Sequence, residues 1–283
     1  MPSFCRVAGA ILCGVASLAP VFVSGQEATG RALVQSIVNS ELRADANDHS
    51  RWMFRDAKKV QGKSTITLVV QTSQGDISKL VEVNGRPPTP QEQREDEQKM
   101  HQFIIDPAVR QKQRRDHQKD DEKATALTRM LPAGFLWTKT GQSGAETTLT
   151  FQPDPKFKPP TREARVFAAM EDTMVVNTEQ MRIESLKGKL TQAVDCGHGL
   201  LGKLEKGGTF DVERQRIGPK IWESTTTRVH IHGHALIFKS ISEDQDEETS
   251  DYKPSPHSIS PEQAENLLKN GTIARELGLN DAH

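Results

Sequence analysis

The chain is poor in aromatic side chains: three Trp, one Tyr and ten Phe make up 5% of its 283 residues. That supply is too thin for an extended base-stacking surface. An excess of charge of either sign is also missing, with 37 Lys and Arg against 38 Asp and Glu. The electrostatic footprint of a nucleic-acid binder is therefore lacking. Cysteine is scarcer still. Cys5 and Cys13 lie in the N-terminal segment, which leaves Cys196 alone in the rest of the chain. One thiol makes no intramolecular disulfide, so the fold has to rest on a hydrophobic core. Beyond residue 25 no apolar run approaches the ~20 residues needed to span a bilayer as a helix.

The one long apolar run stands at the start. Met1 to Arg6 forms a short segment with a single cation. Val7 to Val23 is almost uniformly apolar or small, and Val23-Ser24-Gly25 precedes Gln26 as a small-residue cleavage site. This layout is that of a secretory signal peptide over residues 1–25. At about 17 residues, with Pro20 near its end, the run sits at the lower edge of a retained anchor. Leu12 before Cys13 argues against lipid attachment at that cysteine. The expected product is an exported protein, periplasmic or secreted, with residues 26–283 in one domain.

From Thr29 to Ala44 the residues Leu33, Val34, Ile37, Val38 and Leu42 fall on one helical stripe. Strand signals follow. Trp52 and Phe54 alternate, as do Ile66, Leu68 and Val70, then Ile77, Val81 and Val83 up to the turn pair Asn84-Gly85. Thr89-Pro90-Gln91-Glu92 has the form of a helix start, with Thr as cap, Pro at the first position and Glu three residues on. Asp106-Pro107 repeats that logic. No large apolar residue occurs from Arg110 to Lys123, as in a solvated or flexible arm. Ala124, Leu127, Met130 and Leu131 restore a stripe that Pro132 is expected to stop. Residues 89–131 thus form a charged helical insertion touching the body at both ends.

Strand patterns resume at Phe135 and Trp137, then Leu149 and Phe151. A Pro-rich connection leads to a short helix over Thr161 to Met170. The densest strand region runs from Met174 through Phe210, Val212, Trp222 and Val229 to Ile241, with Lys187-Gly188 as an interruption. Acidic Glu243 to Glu248 reads as a loop within a 243–283 tail, and Ser260-Pro261-Glu262-Gln263 caps a C-terminal helix. About ten strands in hairpin succession, without strand–helix alternation, specify an α+β, mainly antiparallel fold.

This order of elements resembles the LolA/LolB-type lipoprotein carriers of the bacterial envelope. The residues that carry the likeness are the exported N-terminal helix and Asp172-Thr-Met-Val-Val-Asn-Thr-Glu-Gln-Met-Arg-Ile-Glu-Ser-Leu-Lys-Gly188, which is similar to a strand–turn–strand of that superfamily. Gly208-Thr-Phe-Asp-Val212, Trp222 and the closing strand to Phe238-Lys239 are alike in kind. The resemblance implies an unclosed antiparallel half-barrel with helices over its open side, carrying a lipid or acylated protein without catalysis or cofactor. The charged insertion and the long tail depart from the simple carriers.

On physical grounds, a half-barrel leaves an apolar concavity that helices, a ligand or both must fill. Candidate lining residues are Trp52, Phe54, Ile66, Leu68, Val70, Leu149, Phe151, Phe210, Val212 and Trp222. The competing reading makes them ordinary core. His230, His232 and His234 alternate, so a regular strand projects them from one face. They are a polar stripe, two ligands of a metal site completed by Asp195, Cys196 or His198, or a pH-responsive patch. Gly233 suggests a bulge that would break the alignment. Gly197 to Lys203 matches a phosphate-cradling loop except for Leu204, where Ser or Thr belongs. No nucleophile elbow and no His-Glu-x-x-His stretch occurs. A further alternative is a module for an envelope protein partner, with the polar arm as its contact surface.

Overall fold

The computed structural model describes residues 22–195, 203–234 and 240–279, without the side chains of 22–27, 162, 234 and 240–243. Residues 1–21, Cys196, His198 and most of the glycine-rich loop lie outside the described residues.

The architecture is α+β: an unclosed antiparallel sheet with helices. α1 (Phe22–Asn47) leads into the meander β1 (Trp52–Val60), β2 (Lys63–Thr72) and β3 (Gly75–Val83). α2 (Pro90–Ile105) and α3 (Pro107–Gly134) form the insertion, followed by β4 (Phe135–Ser143), β5 (Glu146–Pro153), α4 (Arg162–Phe167), β6 (Met170–Asn177) and β7 (Arg182–Leu190). The short β8 (Val194–Asp195) and β9 (Lys203–Leu204) precede β10 (Thr209–Arg216), β11 (Trp222–His234) and β12 (Ser240–Pro254). α5 (Pro261–Lys269) and α6 (Thr272–Glu276) close the described chain. The strand order is β3-β2-β1-β12-β11-β10-β7-β6-β5-β4, with β9 paired to β11 and β8 to β9.

Two of the helix starts read from the sequence form complete capping boxes. Thr89 and Glu92 exchange side-chain and backbone hydrogen bonds, and Ser260 and Gln263 do the same. Asp106 caps α3 through the Ala108 N–H. Three local expectations need correction. The acidic run Glu243–Glu248 is strand, the middle of β12, paired on both sides with β1 and β11. Its charges are met across the sheet, Lys58 to Glu247 at 3.1 Å and His230 Nε2 to Asp246 at 3.1 Å. Lys187-Gly188 does not interrupt β7. Gly188 is there because the Phe210 ring lies over it, 2.2 Å from where a Cβ would stand. Pro132 falls inside the last turn of α3, which runs two residues further.

Antiparallel partners point to the same side of a sheet, so the register fixes which residues share a face. Met53, Arg55 and Ala57 pair with Val70, Leu68 and Ile66. Arg55 and Ala57 also pair with Ser250 and Glu248, whose side continues through Thr226, Arg228 and His230. Phe54, Val229, Phe210, Leu186 and Met174 belong to the opposite side. Two cores result, one on each face. α1 and the C-terminal end of α3 seal the first, over Phe135, Trp137, Leu149, Phe151, Met174 and Leu190. α2, α5 and α6 seal the second, over Met53, Leu68, Val70 and Ile77.

α3 ties the two sheet edges together. Near its start Gln113 accepts from the Asp76 N–H and donates to the Asp76 carbonyl, while Asp96 of α2 accepts from Leu80 N. These bonds cap the open edge of β3 against pairing with another chain. Near its end the Trp137 indole donates to the Leu131 carbonyl at 2.8 Å. Gln113 to Leu131 is ~27 Å of helix, against ~43 Å for nine flat strand spacings. Twist and coiling of the sheet bring the two edges within reach of one helix.

Candidate functional site

The register divides the candidate lining residues. Ile66, Leu68 and Val70 lie on the α5 side, away from the other strand candidates, and Leu68 and Val70 are sealed there at 2% and 0% exposure. Alternation within one strand cannot say which way its neighbour faces, and the hairpin register decides it. Leu149 and Phe151, at 0% and 1%, are filled-in core beneath α1. Trp52 is buried edge-on against Tyr252, its indole donating to Ser50. Trp222 is buried with its indole donating to Gln180.

Four candidates remain half-buried: Ile66 on the α5 side, and Phe54, Phe210 and Val212 on the other. Phe210 and Val212 stand with Leu186, Val229 and Ile231 as a continuous half-buried apolar row on the α1 face of β7, β10 and β11. The row takes in Val212 and Val229, which join neither core. Helix packing on this face is concentrated on β4 and β7. Phe54 stacks on Tyr252 some strands away, with ring centroids 5.1 Å apart.

Between the row and that ring pair stand Asp56, Lys58 and Glu247. Burial, and next the charge of Glu247, push the Asp56 carboxyl up to about 6 from 3.8. Its Oδ1 is buried without a hydrogen-bond partner. A carboxyl raised on folding binds its proton more tightly in the folded state. Its contribution is therefore neutral below pH ~4, turns unfavourable as pH rises to about 6, and stays so above. Asp56→Asn is expected to raise stability by about 1 kcal/mol at pH 7.5, solvent screening of a half-buried carboxylate having been allowed for. Urea unfolding at pH 7.5 and pH 4 checks this, since the gain should vanish in acid.

At the end of the row lies a cleft of about 630 Å³, bounded by the C-terminal part of α1, Arg182, Arg214 and the segment Lys220–Ser224. Its floor is an ion cluster. Glu41 of α1, 1% exposed, meets Arg182 at 2.9 Å and Arg214 at 2.8 Å, and its Oε1 accepts from the Ile183 N–H at 2.6 Å. Asp45 stands 3.8 Å from Arg182. Arg214 Nη2 also donates to the Trp222 carbonyl, whereas the buried Nε of Arg182 has no partner. Burial pushes the Asp45 and Glu223 carboxyls upward, against the pull of Arg214. None of the charged residues here was singled out from the sequence, although Trp222, which lines the same cleft, was. One signal was available: Glu41 lies four residues after Ile37 and seven after Val34, on the apolar stripe itself.

The histidine stripe is regular, since the β11–β12 register holds without a shift through Gly233 and no bulge occurs. Glycine is required there because β9 passes so close that a Cβ would lie 2.5 Å from the Lys203 carbonyl. His230 sits between Asp244 and Asp246 on the face away from α1, His232 is exposed, and the His234 side chain lies outside the described residues. Among the described residues no group of three or more His, Cys, Asp or Glu is placed to hold a metal ion. No described helix is long and apolar enough to cross a membrane. Comparison with known proteins brings no match to a family model, to a curated protein or to a solved structure.

Proposed function

We propose that this is an exported, non-catalytic binding protein for a lipid-like ligand, an acyl chain or an acylated protein, held on the α1 face of the sheet. The observation that carries this reading is the half-buried row Leu186, Phe210, Val212, Val229 and Ile231, two of whose members belong to neither core. It replaces the broader concavity expected from sequence, whose other walls are occupied by the chain's own side chains. A methylene fully removed from water gains about 0.8 kcal/mol, and one laid on an open face about half of that. About ten methylenes then supply ~4 kcal/mol, the scale of millimolar binding.

The test is titration with a fluorescent fatty acid, together with mass spectrometry of a solvent extract of the purified protein. The doubly substituted protein Val212→Lys, Val229→Lys is expected to bind at least ~10-fold more weakly, the loss of ~1.4 kcal/mol, with its circular dichroism unchanged. An extract free of lipid, combined with no saturable binding, would remove the proposal.

A second reading treats α3 as a contact surface for a protein partner. Its middle, Arg114 to Ala124, is exposed on nearly every side, although each end is anchored to the body. Reversal of Arg115 and Lys119 to Glu would abolish capture of such a partner and leave fatty-acid binding intact.

A further inference from the structure

We infer that the cleft at the C-terminal part of α1 seats an oxyanion, the carboxylate or phosphate head of an amphiphile whose chain lies along the apolar row. This rests on the lipid-binding reading and adds the ligand's polar end to it. Along β10 the residues Phe210, Val212 and Arg214 alternate onto one face, and Arg214 is the member that reaches the cleft. Apolar row and cationic end are therefore continuous on a single strand.

The charges around the cleft balance, with Arg43, Arg182, Arg214 and Lys220 against Asp45, Asp48, Glu223 and the Glu41 of its floor. One donor among them lacks an acceptor. Arg182 has a side chain only 7% exposed, and its Nε–H lacks a partner. A buried guanidinium donor left unpaired is costly, and an acceptor oxygen arriving in the cleft would satisfy it. Guanidinium pairs also suit the planar or forked acceptors of carboxylate and phosphate. The volume, about 630 Å³, admits a head group with its water.

Dodecyl phosphate, dodecanol and inorganic phosphate are titrated into the full chain by calorimetry. The expected result is a preference of ~10- to 100-fold for dodecyl phosphate over dodecanol, the range of one charge-assisted hydrogen-bonded contact. Arg214→Gln should erase that preference while dodecanol binding persists. Because this substitution touches the buried ion cluster, the paired surface change Arg43→Glu, Lys220→Glu is measured beside it, and it should lower the preference several-fold with folding intact. Equal affinity for the two dodecyl compounds, or a preference that survives both variants, overturns the head-group seat and leaves chain binding standing. Inorganic phosphate bound as tightly as dodecyl phosphate overturns the amphiphile in favour of a free oxyanion. Failure of all three ligands overturns both readings.

Discussion

Glu41→Ala should destabilise the protein by about 3–5 kcal/mol, a large part of the stability of an ordinary domain. The carboxylate is 1% exposed and engages Arg182, Arg214 and the Ile183 N–H. Removing it leaves two guanidinium groups facing each other, Arg182 with a side chain 7% exposed and Arg214 17%. Arg182 then keeps Asp45, at 3.8 Å and with a side chain 63% exposed, as a weak substitute. The backbone N–H of Ile183 loses its acceptor as well, at a further ~1 kcal/mol or more. Glu41→Gln separates the two losses, since the amide oxygen can still accept from Ile183 while the charge is gone. Its cost should fall between wild type and Ala. A urea midpoint lowered at constant slope is the readout. A loss under 1 kcal/mol for Glu41→Ala would show that α1 is held by its apolar stripe alone.

That cluster also marks where sequence reading reaches its limit. Local chemistry was legible: the capping boxes at Thr89 and Ser260, the α1 stripe, and the hairpin succession all follow from neighbours within four residues. What depends on pairing between distant strands was not. β12 carries Ser-Glu-Asp-Gln-Asp-Glu-Glu at 242–248, which has no apolar alternation because helices leave both of its faces uncovered. Pairing with β1 and β11 makes it a strand, and β1, which brings Lys58 to Glu247, lies far away in the chain. The candidate site failed in part for the same reason. Period-two alternation correctly grouped Ile66, Leu68 and Val70 with one another, but only the β1–β2 register shows that Phe54 points the opposite way. The cleft draws on residues 40–48, 182, 214 and 220–224, a set that no spacing rule assembles.

Phe151→Ala should cost about 3–5 kcal/mol and leave ligand binding unaltered in the variant that remains folded. Phe151 is 1% exposed, with ring centroids 4.8 Å from Phe135 and 5.2 Å from Trp137. Phe135 in turn packs edge-on against Phe167 of α4. Truncation therefore opens a cavity ringed by aromatic side chains that β4, β5 and α1 hold in place, and the lost dispersion contacts are not recovered by collapse. Phe54→Ala provides the contrast. Its ring is half-buried and stacked on Tyr252 alone, so removal should cost only ~1–2 kcal/mol. Urea unfolding of both variants, with and without a saturating fatty acid, distinguishes core from binding surface. A ligand that occupies the open face raises the midpoint of wild type and of Phe151→Ala by the same free energy, because linkage depends only on its concentration and affinity. If Phe151 instead faced a lipid cavity, its truncation would be cheap without ligand, and the fatty acid's stabilising effect would change with it. The 1% exposure of Phe151 and its contacts with Phe135 and Trp137 are the observations against that outcome.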